Sequence, residues 1–159
     1  MDSILITLSL LLRDLGFVMY GGSIFAFTTL IALAQRDVIP YVRLEEAVRV
    51  YRAWGPGLGL SMGAIVFGAL AHHFLTTGGF TWPLSAASTP AWAIFFCAWV
   101  SNLRLEVWTL DPVRKLDDGQ GITDRSAYET AVRWLVAHLA SQTLLIFGAS
   151  LLFFLAEHR

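Results

Sequence analysis

The sequence predicts an all-α polytopic membrane protein, a four-transmembrane-helix bundle with a short cytoplasmic amphipathic helix. Three observations predict it: four long apolar stretches, a charged fraction of only 14% against 56% hydrophobic residues, and a sharp segregation of basic residues along the chain. Soluble domains carry about 25% charged residues, so this composition belongs to a chain solvated by lipid.

A span needs about 20 apolar residues. The first covers residues 15–34. The apolar run from Ile4 to Leu12 allows its helix to start earlier, with Arg13 and Asp14 at or just inside one interface. The second covers 57–76, opened by Gly55-Pro56-Gly57 and closed by Gly78-Gly79, both breaker signals. The third covers 90–108 and is the least regular, since Asn102, Arg104 and Glu106 precede an Asp111-Pro112 stop. The fourth covers 135–156, entered from a helix starting near Ser126. All belong to one membrane domain, 1–159. No signal peptide is expected, because the first residues carry Asp2 and no basic n-region.

The segments Gln35–Trp54 and Leu103–Trp134 hold nine of the eleven basic residues, and Phe74–Trp92 holds no charge. The positive-inside rule then places both charged loops in the cytoplasm and both termini outside, as in a multi-pass protein of a bacterial inner membrane. Within the first loop, Pro40–Trp54 reads as an amphipathic helix with Val42, Ala47, Val50, Tyr51 and Trp54 on the bilayer. Lys115–Ser126, with Asp117, Asp118, Gly119 and Gly121, reads as an exposed loop. Trp54, Trp82, Trp92, Trp108 and Trp134 fall near interfaces, as an aromatic belt requires. Small residues suit close helix contact in lipid, which nominates Gly59 with Gly63, Ala64 with Gly68, Gly22 with Ala26, and Gly148, for packing within the bundle or for a dimer seam.

Net charge of −1 and the lack of a basic block give no case for nucleic acid. One cysteine, Cys97, excludes an intrachain disulfide and a multi-cysteine metal site. No phosphate loop, nucleophile elbow or zincin motif is present.

Polar residues inside spans are costly and point to function. An inner group joins His138, Ser141 and Gln142 at i, i+3 and i+4, one helix face. Trp134 lies a turn earlier, and Asn102 and Glu106 lie on the third helix. A histidine held by an amide or carboxylate suits proton transfer, ligation or headgroup binding; the same groups also serve as interhelical glue. An outer group contains Arg13, Asp14, His72 and His73. Adjacent histidines diverge by about 100°, and a metal needs three or four converging ligands, so a salt bridge with solvated histidines is expected and no metal. His138 and His72 or His73 lie at opposite depths, which argues against a bis-histidine haem. Ligation by a single histidine stays open, and the cofactor is unknown.

Three functions fit: a small hydrophobic or redox-active ligand bound in a His-centred pocket near the cytoplasmic leaflet, a non-catalytic accessory subunit of a larger complex, or a small transport module. Partners would be the lipid bilayer and a homo-oligomer or larger membrane complex.

One further pattern spans the chain. Arg36-x-x-x-Pro40 follows the first span, Asn102 and a later Pro112 follow the third, and Trp134-x-x-x-His138 opens the fourth. This resembles the anthrone-oxygenase-like superfamily of small four-helix membrane proteins. The resemblance implies cofactor-independent oxygenation of an aromatic substrate and singles out Asn102, Trp134 and His138.

Overall fold

The computed structural model describes residues 2–38, 43–78, 88–117 and 121–157, without the side chains of Asp2, Leu105, Glu106, Val107 and Glu157. Pro40, Val42, Gly79, Trp82, Asp118, Gly119 and the Glu106 side chain therefore lie outside the described residues.

Among the described residues all regular structure is helical: α1 (Asp2–Gln35), α2 (Leu44–Ala53), α3 (Gly55–Thr77), α4 (Thr89–Leu105), a π turn (Glu106–Leu110), α5 (Asp111–Leu116) and α6 (Arg125–Glu157). Three of these, α1, α3 and α6, are long and apolar enough to cross a membrane. At 34 residues, α1 extends about 51 Å. It begins at Asp2 rather than near residue 15, because the Ile4–Leu12 run continues the helix without a breaker. At 17 residues, α4 reaches only about 25 Å.

The expected stop at Asp111-Pro112 does not occur. Pro112 lacks the N–H that would reach the Trp108 carbonyl, and its ring crowds that group. The chain widens into the π turn just before it and then resumes as α5, with proline in the first turn, where a missing N–H costs nothing.

Helix α3 packs antiparallel on the first two thirds of α1. A Cβ on Gly16 would lie 2.8 Å from the Ser61 carbonyl and the Ile65 amide, and one on Gly68 would lie 2.5 Å from the Arg13 amide. Only bare backbone permits this approach. The close-contact glycines are thus Gly16 and Gly68. The spaces around Gly22, Gly59, Gly63 and Gly148 are open, so those expected packing positions are not the ones the helices use. Further along, Trp54 caps α2, opens α3 and donates from Nε1 to Ser23 Oγ at 3.3 Å.

Beyond Ser23, α1 outruns α3. Its last turns meet α2, where Phe27 and Tyr51 stack edge-on at 5.5 Å, and α6, where Gln35 Nε2 donates to the Glu129 carbonyl at 2.9 Å. Leu44, Ala47, Val48 and Tyr51 of α2 are buried by this packing, while Val50 stays 54% exposed. The apolar face of α2 therefore docks on protein and not on the bilayer. Burying a leucine or valine contributes about 1.5–3 kcal/mol, enough to hold a helix this short. Ion pairs from Arg125 to Glu45 and from Arg52 to Asp117 tie α2 to the ends of α6 and α5.

By backbone approach the long helices form a row, α3–α1–α6–α4: among the described residues no Cα of α3 comes within 8 Å of one in α4 or α6. A closed bundle would bring α3 and α4 together. An aromatic cluster stitches α1, α4 and α6 instead: Phe153 packs on Phe17 at 5.8 Å and on Trp92 at 5.1 Å, and Phe17 meets Phe95 at 6.2 Å.

Candidate functional site

The π turn and α6 enclose the candidate site. A groove of about 350 Å³ runs between them, lined by Trp108, Thr109, Trp134, Ala137, His138 and Ser141. The π turn delivers two of these residues. An extra residue per turn re-aims side chains along a helix, and such turns recur at functional sites. The groove widens toward the start of α6 into a second space of about 550 Å³ that shares Trp108, Thr109 and Trp134.

His138 is half-buried on the groove wall. Its Nε2 lies 3.3 Å from Ser101 Oγ on α4 and 3.4 Å from Gln142 Nε2 one turn along α6. One ring nitrogen thus faces polar partners on two helices, which share its single donor or acceptor site. Gln142 is fully buried, and its Oε1 has no hydrogen-bond partner among the described residues. Turning the amide over exchanges the roles of its two ends and leaves one of them unpaired. An unpaired buried acceptor costs about 1–3 kcal/mol.

The inner group expected from sequence is brought together in part. His138 and Gln142 interact directly, and Trp134, His138 and Ser141 line the groove. Ser141 Oγ donates to the Ala137 carbonyl at 3.0 Å and does not bind the imidazole. Asn102 is half-buried on α4 and makes no hydrogen bond to His138 among the described residues; its neighbour Ser101 does so instead. Ser101 and Thr109 carry no site signal in the sequence, and Trp108 carries only that of an interfacial aromatic. Ser101 was masked by the more polar Asn102 beside it, and the other two gain their place only through the π turn that Pro112 signals.

In the outer group, α1 supplies an ion pair and α3 two histidines. Arg13 is 5% exposed, binds Asp14 at 2.7 Å and sits 5.6 Å from the Phe153 ring. His72 and His73 are half-buried on α3. No cluster of three histidine, cysteine or carboxylate side chains arises among the described residues. The histidines on α3 and His138 on α6 belong to helices whose Cα traces do not come within 8 Å of each other among the described residues.

No protein-family model, curated protein or solved structure matches this chain.

Proposed function

We propose that this is a four-span membrane protein that binds a small hydrophobic ligand in the groove between the π turn and α6, with His138 as its polar contact. One observation carries the reading: a groove wall that is otherwise indole, methyl and hydroxyl presents an imidazole held at Nε2 by Ser101 and Gln142. Fixing a titratable ring from behind orients it toward whatever enters the groove.

Helix α4 serves as the fourth span in this reading. Its outward face carries exposed Phe96, Trp99, Val100 and Leu103, a surface suited to lipid. Exposed Trp54, Trp108 and Trp134 lie within four residues of Arg52, Arg104 and Arg133, which suits an inner membrane boundary. On this reading the groove is at the cytoplasmic leaflet, both termini are outside, and the docked α2 is in the cytoplasm. The resemblance to the anthrone-oxygenase-like superfamily fits an aromatic ligand beside Trp134 and His138.

The test is native mass spectrometry, with an absorption spectrum, of protein extracted in mild detergent. A co-purifying small molecule is expected on the wild type and absent from His138→Ala at unchanged helicity. Ligand-free wild-type protein, or a ligand retained by His138→Ala, overturns the reading.

A second reading, a subunit of a homo-oligomer or larger complex, is favoured by α3, which ends the row with Gly59 and Gly63 facing open space. A mass above one chain in the same spectra supports it.

A further inference from the structure

We infer that the wider part of the groove receives a cationic headgroup, so that the ligand is a cationic amphiphile; this rests on the groove being the ligand site. The wider part is lined by Trp108 and Trp134, by Thr109, Ser126 and Thr130, by Asp124, and by four apolar residues. No lysine or arginine lines either part of the groove among the described residues, and Asp124 is the only formal charge there. This stands out in a region where basic residues are concentrated: Arg104, Arg114, Lys115, Arg125 and Arg133 all belong to the flanking segments, and none enters.

Indole is the best aromatic partner for a cation, and a groove lined by both indole residues and a carboxylate residue suits alkylammonium groups, whose charge is diffuse. Trp108 already takes a cation in this chain, since the Arg104 guanidinium lies 5.4 Å from its ring centroid. Trp108 and Trp134 are 63% and 69% exposed, so both rings retain open surface. Asp124 Oδ1 accepts the Ala127 amide hydrogen at 2.9 Å, which holds the carboxylate at the start of α6. From Asp124 to Ser141 the groove follows about 25 Å of helix. A headgroup at the Asp124 end leaves an alkyl chain room to run past Ala137 and His138 toward exposed Leu144 and Phe147.

The test titrates the purified full chain with three probes of equal chain length below their micellar concentrations: octyltrimethylammonium, its neutral tert-butyl carbon isostere, and octyl sulfate. Binding is read by tryptophan fluorescence. The ammonium probe is expected to bind about tenfold tighter than the neutral isostere, with octyl sulfate weakest. Asp124→Asn, which keeps the helix cap, and Trp134→Leu are each expected to erase most of the difference. Equal binding of all three probes, weakened by His138→Ala, overturns the cationic headgroup and leaves the groove as a ligand site. Cation preference that persists in both Asp124→Asn and Trp134→Leu also overturns it. No binding of any probe overturns the cationic amphiphile, while the groove as a ligand site stands or falls by the co-purification test.

Discussion

Gly68 on α3 lies against the backbone of Arg13 on α1, so closely that a Cβ on Gly68 would come within 2.5 Å of the Arg13 amide nitrogen and 2.8 Å of its Cα. Backbone cannot yield as a side chain does. Gly68→Ala therefore forces the two helices apart and is expected to destabilise by about 1–3 kcal/mol, the usual range for overpacking. Gly63→Ala, whose added methyl meets open space, is expected to change stability by less than about 1 kcal/mol. Unfolding in detergent by added dodecyl sulfate measures both. Equal effects would show that α1 and α3 do not meet at Gly68.

This contact shows what was legible in the sequence and what was not. Hydropathy marked the apolar stretches, because the solvent acts on each residue wherever its neighbours are. Gly68 was nominated by its spacing from Ala64, but the same rule nominated Gly59 and Gly63 and missed Gly16. A small residue permits a close approach without saying which helix makes it, and that depends on the row order α3–α1–α6–α4. The candidate site divides in the same way. His138 and Gln142 share a face by helical periodicity, so their pairing was readable. Ser101, Trp108 and Thr109 join them through packing and through a π turn that periodicity cannot represent.

The His138–Gln142 contact separates glue from ligand orientation. Gln142 carries one unpaired amide end in the described structure, so its net contribution to stability is small. Gln142→Leu, close in volume, is expected to leave the unfolding midpoint nearly unchanged, within about 1 kcal/mol, while releasing one side of the imidazole. Nitrogen-15 spectra of labelled His138 are expected to change, and retention of the native ligand to fall. A large loss of stability with an unchanged histidine spectrum would assign Gln142 to interhelical packing alone.

Pro112 sets the register of the groove. Replacing it with alanine restores the amide hydrogen that can reach the Trp108 carbonyl, which removes the reason for the π turn. A regular α-helix over the same residues omits the extra residue and rotates Trp108 and Thr109 by about 100° relative to α5. Pro112→Ala is expected to keep or slightly raise helicity while weakening ligand retention roughly tenfold, because a site fails when its wall is misplaced. Circular dichroism and ligand content measured on the same sample check this. Retained ligand would mean that the π turn does not shape the site.

Tyr51 gives a pH dependence outside the spans. Burial of its phenol against α1, reinforced by the neighbouring Tyr20, raises its pKa well above the ordinary phenol value. A raised pKa in the folded state means that unfolded chain loses the proton first, so the stability contribution is complete below about pH 10. It declines as pH rises from there toward the raised folded value. Detachment of α2 is therefore expected to begin above about pH 10, with a rise in tyrosinate absorbance and a loss of near-ultraviolet dichroism. Tyr51→Phe, which keeps the ring contact with Phe27 and cannot ionise, is expected to remove the part of this transition that belongs to α2. An identical alkaline transition in Tyr51→Phe would place its origin at another buried tyrosine, Tyr20 or Tyr128, and not at the docking of α2.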